Sequence, residues 1–525
     1  MKRSNLSDSL ISRTVLVHHG LGLGALLLVG GTVLIPTDAL AQVGRINAYQ
    51  VEFIDRPTGR AKATASNINE LGQVVGSTKD SLGGTRSFLW LPDPAYGYSA
   101  GLNLLPTIPH DPEATYLPGS TSINDLGQVT GHCDPTPPEL WDPHATLWLP
   151  EPAYGLKAGI NDLGVMNDAE ADSLGSATAH DINNAGQVTG GTTTGFRGPY
   201  REYNAYIWAA GEWTDLGSLG GPATGKRINE LGQVAGESAL DPFEPGSLEQ
   251  HAFIWLPKPA YGLEDSVCIN LGVGNFGGSQ VTVRDSNGAL QVVGYAQDAE
   301  SLEHAFFWQP PRAGDPLAPL RPLPELYGGR SRANGINKRG VICGFNDDEE
   351  GTRHALLWLD PETPPMELDG LTPNRDRDGS RLGGMLNIND GGQICGSARR
   401  RGDPNNWAVA LSPVTEGMTT VTWDFPDSIG LGEVLSFQAN AINNENASRL
   451  FDDATLVVSG PLDHRRTLYA GGGISVAGRD LLSAEVSLPV PSGVPTGEYA
   501  VEVVLSRDGA ELSRDGFDVT VIGAE

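Results

Sequence analysis

One unit recurs seven times along the chain, and this repetition constrains the fold more than any other property. A leading segment, Ile-Asn-x-x-Gly-Gln-Val-x-Gly, starts at Ile68, Ile123, Ile182, Ile228, Ser286, Ile336 and Ile388, at spacings of 55, 59, 46, 58, 50 and 52 residues. Each is followed by a trailing segment: RSFLW at Trp90, HATLW at Trp148, NAYIW at Trp208, HAFIW at Trp255, HAFFW at Trp308, HALLW at Trp358 and the degenerate WAVAL at Leu411. A supersecondary unit at this period means a propeller or a solenoid, because a single unit cannot bury its own apolar face.

The asparagines Asn69, Asn124, Asn183, Asn229, Asn287, Asn337 and Asn389 usually have Gly three residues on. That is the preference of a type I turn, and it marks them as turn residues rather than ligands. The trailing segment reads as a third strand whose aromatic packs between units. Short elements follow it at Leu102–Leu105, Asn161–Gly164, Thr214–Gly217, Ile269–Gly272, Pro322–Pro324 and Glu367–Gly370, and the seventh copy has none. Ahead of the repeats, Tyr49, Val51 and Phe53 alternate with Gln50 and Glu52, the period of a half-buried strand. That strand can supply the missing element and remove exposed sheet edges. The expected fold is all-β: a seven-bladed β-propeller of four-stranded blades over residues 42–413, closed by the N-terminal strand. An open solenoid would leave the strand at Tyr49 unexplained.

The pairing of INxxGQVxG with HAFxW resembles the extracellular HAF-repeat family of bacteria, over about two thirds of the chain. The resemblance implies secretion and repeats, and it implies no particular reaction or catalytic residue. Copy five departs from it with Ser286 and Leu290, and copy seven lacks both the His and the Trp.

Export is also written at the start of the chain. Lys2, Arg3 and Arg13 lead an apolar stretch from Val15 to Ile35 that ends in Ala39-Leu40-Ala41, so residues 1–41 read as a signal peptide with a mature start at Gln42. An uncleaved membrane anchor is the alternative, and no later apolar span is long enough to cross a bilayer. Residues 414–525 carry longer alternating strands separated by turns such as Pro491-Ser492-Gly493, which suggests an immunoglobulin-like β-sandwich. With 68 Gly and 37 Pro in 525 residues, the composition suits a turn-rich all-β protein. The formal charge of -29 gives no basic footprint for nucleic acid.

Candidate sites fall into four groups. The histidines His144, His251, His304 and His354 occupy one position in different blades, too far apart to converge on a metal, and Arg86, Asn204 and Trp407 fill the same position elsewhere. The LP-x-PAYG connections place Tyr96, Tyr154 and Tyr261 where they either stiffen the chain or offer a stacking surface. Asn374, Asp376 and Asp378 have the spacing of half a calcium loop, but Met385 stands where the bidentate Glu belongs. Cys343 and Cys395 share a strand position, as small buried residues or as a disulfide, while Cys133 and Cys268 have no evident partner.

The fourth group is acidic. Loops after the second and fourth strands share one face and collect Asp168, Glu170 and Asp172; Glu237, Asp241 and Glu244; Asp298 and Glu300; and Asp347, Asp348, Glu349 and Glu350. Variable loops on a rigid scaffold are where function generally sits. The leading expectation is a secreted binding module that takes an extracellular protein or polysaccharide on this face. The alternatives are a glycan hydrolase or lyase using paired carboxylates, and a purely structural surface protein. No nucleophile motif, phosphate loop or metal-protease signature appears, and apart from calcium no cofactor is expected.

Overall fold

The computed structural model describes residues 33–34, 47–55, 62–79, 84–106, 119–133, 143–166, 175–197, 200–240, 249–312, 315–373, 380–400, 403, 406–445, 448–461, 464–476, 480–490 and 492–523. The chain forms two compact units. One comprises Val51–Glu367 and Arg381–Ser412; the other comprises described residues up to Gln50, those of Leu368–Ser380 and those of Pro413–Glu525.

The first unit is all-β, made of four-stranded antiparallel sheets. In the first sheet, Ala63–Ile68, Val74–Lys79, Thr85–Leu91 and Gly101–Leu104 lie side by side in chain order. The same order recurs in the sheets that begin at Gly119, Ala177, Ala223, Gly277 and Ser331, and the fourth and fifth join edge to edge into one eight-stranded sheet through the parallel pairing of Gln250 with Gln280. The seventh sheet holds Arg381–Ile388, Ile394–Arg399 and Asn406–Pro413, and its fourth place is taken by Tyr49–Phe53. Just past that strand, Ile54 N donates to Ala408 O at 2.9 Å.

The leading motif builds a strand, a turn and a strand. At the first copy, Gly72 N donates to Asn69 O at 3.1 Å, and Gly72 has φ +75°, the left-handed region where glycine is favoured. In all seven sheets the register shifts between the residues three and one before the motif's first position, for instance between Ala65 and Asn67 or between Val283 and Asp285. This bulge brings the backbone against the last glycine of the motif. A Cβ on Gly76 would lie 2.1 Å from Thr64 O, and one on Gly236 would lie 2.3 Å from Thr224 O. Alternation in the sequence does not reveal a bulge, because the extra residue reads as an ordinary strand position.

Trailing aromatics bury themselves against the preceding sheet. Trp148 packs with Val75 and Leu89, Trp208 with Ala145 and Leu147, Trp358 with Val293 and Phe307, and Trp90 with Ala408 and Ala410 of the seventh sheet. Full burial of an apolar side chain contributes roughly 1.5–3 kcal/mol. The first strands of successive sheets are also neighbours, the seventh with the first included. Their turns are tied together by the motif asparagines. Links from Nδ2 to the next turn's asparagine carbonyl run from Asn69 to Asn124, Asn124 to Asn183, Asn183 to Asn229, Asn287 to Asn337, Asn337 to Asn389, and from Asn389 back to Asn69.

One expected strand is shorter than its pattern. Met366–Glu367 pairs, but Leu368–Leu371 is a 3-10 turn that belongs to the second unit, with Thr372 Oγ1 donating to Leu368 O at 3.1 Å. Asp369-Gly370 favours a turn over extended pairing.

In the second unit, Met418–Trp423, Val434–Asn443 and Asp480–Pro489 form one sheet, with Val33–Leu34 added at its edge. Ser428–Gly430, Ala510–Ile522, Gly497–Arg507, Arg449–Ser459 and His464–Val476 form the other. Phe437 from the first sheet and Val501 and Phe517 from the second share a core, with Phe425 stacked on Phe517 at 4.1 Å. Apart from Val33–Leu34, the expected signal peptide lies outside the described residues. Among these, no helix is long and apolar enough to cross a membrane.

Candidate functional sites on the repeat sheets

The recurring histidine position faces the fourth strand of its own sheet. His144 Nδ1 lies 3.0 Å from Asp162, Asn204 Nδ2 donates to Asp215 at 3.0 Å, His251 Nδ1 meets Asn270 Oδ1 at 3.0 Å, and Arg86 Nη2 donates to Leu105 O at 3.1 Å. What the position requires is a nitrogen donor, and this explains the mixture of His, Asn and Arg. Its partner often closes the strand as well: Gly164 N donates to Asp162 and Gly217 N to Asp215, each at 2.8 Å. Among the described residues no group of His, Cys, Asp or Glu is arranged to hold a metal.

In the fifth and sixth sheets the histidine is held from both sides. His304 lies between Glu325 at 3.0 Å and Asp298 at 3.1 Å; His354 lies between Glu367 and Asp348, each at 3.2 Å, with Tyr327 stacked on it at 4.3 Å. Two flanking carboxylates favour the charged imidazole, which can donate from both nitrogens. The bond to Glu367, joined by that to Asp348, outweighs burial and raises the His354 pKa to about 9. Burial pushes the Asp348 pKa upward, but the bonds from His354 and Thr352 N prevail and hold it below the usual carboxylate range. Asp298 is held low in the same way, by His304 together with Leu302 N and Glu300 N.

These contacts divide the expected acidic site. Asp347 is buried, 6% exposed, and accepts from Arg330 Nε at 2.8 Å and Arg353 Nε at 3.1 Å. Asp298 and Asp348 shape their turns. Glu300, Glu349 and Glu350 remain exposed at the turn tips. Glu237, expected among the loop acids, is buried at 9% exposure and bonds Lys226 and Val283 N. Asp168, Glu170, Asp172, Asp241, Glu244 and the calcium-type set Asn374, Asp376 and Asp378 lie outside the described residues.

Tyr96 and Tyr154 of the Pro-rich connections are wedges rather than a stacking surface. Tyr96 OH donates to Gln73 at 3.2 Å and its ring meets Trp148 edge-on at 6.3 Å; Tyr154 does the same with Gln128 and Trp208. Both rings occupy space that a Cβ on Gly127 or Gly186, in the next turn, would need. Cys343 and Cys395 are buried without a disulfide.

Sequence reasoning missed a network beside the bulges. Asp181 accepts from Ser122 Oγ at 2.6 Å and Ile228 N at 2.9 Å, Arg227 Nε donates to Asp285 at 2.8 Å, and Asp285 also accepts from Ile336 N at 2.8 Å. Ser122, Asp181, Arg227 and Asp285 immediately precede the motif's first position in copies two to five, and the signal available was their unusual polarity inside a strand. Burial raises the carboxyl pKa of both aspartates against the opposing pull of Arg227.

No family model matches the chain. No curated protein matches it. Solved structures similar to part of it include the sporulation control protein Spo0M of Bacillus subtilis, at 16% identity over 21% of this chain and 50% of that one, with a TM-score of 0.17. A β-glucosidase from Listeria innocua is similar at 15% identity over 20% of this chain and 16% of its own, with a TM-score of 0.17. A CARDB domain from Pyrococcus furiosus is similar at 12% identity over 21% of this chain and 95% of its own, with a TM-score of 0.16. The chain thus spans half or less of the first two.

Proposed function

We propose that this chain is an extracellular binding module of HAF-repeat type, its seven sheets forming a propeller closed by the N-terminal strand. Its loop face takes a cationic or cation-bridged partner, a basic protein or a polysaccharide. The links that return from Asn389 to Asn69 support closure. The observation that carries the binding reading is the placement of Glu300, Glu349 and Glu350, exposed at the tips of turns that histidine-bonded aspartates hold in shape. Carboxylates on preorganised turns bind with little ordering cost. The test compares retention on immobilised polylysine of the parent, a Glu300→Gln, Glu349→Gln, Glu350→Gln variant, and a control carrying Asp93→Asn, Glu151→Gln and Glu264→Gln. The control alters exposed acids in the connections after the third strand, at the other end of the sheets. Retention of the parent should fall as salt shortens the Debye length to about 8 Å near 0.15 M, and only the first variant should elute early. Equal elution of both variants, or no response to salt, removes the reading.

A further inference from the structure

Where the first strands of the third to sixth sheets meet, basic side chains gather in a protein whose formal charge is -29. His180, Lys226 and Arg284 stand two residues before the motif in copies three, four and five, and Arg332 stands four before it in copy six. All four are only partly buried, so solvent reaches them, and they are close enough for His180 to feel Lys226 and Arg284, and for Arg284 to feel Arg227 and Arg332. His180 also feels His132.

Three of the permanent cations own a carboxylate. Lys226 Nζ sits 2.9 Å from Glu237, Arg227 Nε 2.8 Å from Asp285, and Arg332 donates from Nε at 2.5 Å and Nη2 at 2.7 Å to Glu303. Those acids are used up. Glu237 spends its second oxygen on Val283 N, Asp285 on Ile336 N, Glu303 has both on Arg332, and Asp181 is divided between Ser122 and Ile228 N. Arg284 is left over. Its Nε is buried with no hydrogen-bond partner among the described residues, and so is His132 Nδ1. Burial together with Arg227 and Arg332 works against its charge.

A guanidinium held among like charges with an unmet donor is costly unless an anion completes it. Its planar fork fits two oxygens of one carboxylate, sulfate or phosphate. We propose that Arg284, with Lys226 and His180 beside it, forms a binding site for a small oxyanion where the first strands meet. The site needs only the third to sixth sheets side by side, so it stands apart from both ring closure and the acidic loop face.

Calorimetric titration of the full chain with sulfate, phosphate and glucuronate, at ionic strength fixed with chloride, tests the proposal. At least one should bind saturably at a single site and raise the thermal midpoint; sulfate or phosphate identifies a free inorganic ion, while glucuronate alone identifies the carboxylate of an acidic sugar. Losing a charged bidentate contact should weaken binding by roughly tenfold or more in Arg284→Gln, while the midpoint without oxyanion stays level or rises. Glu237→Gln releases Lys226 toward the site and should tighten binding, a gain that misfolding cannot mimic. No saturable binding by any of the three overturns the proposal, as does parental affinity in Arg284→Gln or, should that variant fail to fold, unchanged affinity in Glu237→Gln.

Discussion

Asn69 uses both ends of its carboxamide: Oδ1 accepts from Leu71 N and Gln73 N at 3.1 and 2.9 Å, while Nδ2 donates to Gln73 Oε1 and to Asn124 O. Asn69→Ala strands these buried partners and should cost about 2 kcal/mol or more, read from the urea midpoint. Leu71→Ala, at a residue 56% exposed in the same turn, should cost within about 0.5 kcal/mol. The turn role was legible in the sequence from Asn and Gly spacing, but the link to the next copy was not, because periodic identity does not say what a side chain reaches. The same holds for Asp347, whose arginines are Arg353 on the next strand and Arg330 just ahead of the strand Ser331–Ile336. His354 supports a pH prediction. Its pKa is raised to about 9 in the fold, so its contribution is complete below the unfolded value of about 6.5 and is lost as pH rises through about 9. The thermal midpoint of the parent should therefore exceed that of His354→Gln at pH 6, with the gap closing by pH 10. A gap independent of pH would mean that packing against Tyr327, rather than charge, explains the residue.

At the scale of elements, the bulge explains a glycine that turn chemistry does not. Gly236 follows a strand position, has no positive φ requirement, and would place a Cβ 2.3 Å from Thr224 O and 2.6 Å from Phe253. Gly236→Ala should destabilise by about 3 kcal/mol or more. Gly351, at φ +80° with open space around it, should cost only about 1–2 kcal/mol on the same change, since the penalty there is conformational. Chemical denaturation of the two variants decides the comparison, and equal losses would mean the bulge relaxes. Strand existence was legible because the repeat supplies seven readings of one pattern, and the strand Tyr49–Phe53 took its expected place in the seventh sheet. Strand length at Glu367–Gly370 was misread because Leu and Asp alternate there as a strand would, and the Asp-Gly turn prevails.

At the scale of the molecule, two expectations remain proposals with direct tests. Protein recovered from the medium should begin at Gln42, and a retained Met1 there would remove the export reading. Deleting Tyr49–Ile54 leaves Asn406–Pro413 with an unpaired edge, so the variant should scatter light and unfold at a lower temperature than the parent. The seventh sheet also sets an order on biogenesis. Its fourth strand is made first and its third strand last, roughly 350 residues apart, so at about 5–20 residues per second the early strand waits on the order of tens of seconds for its partner. Throughout that interval the growing chain carries a free apolar end at its front and an incomplete sheet at its back. The array is therefore most vulnerable just before it is finished, and a ribosome stalled within the last copy leaves six folded sheets with no way to complete the seventh.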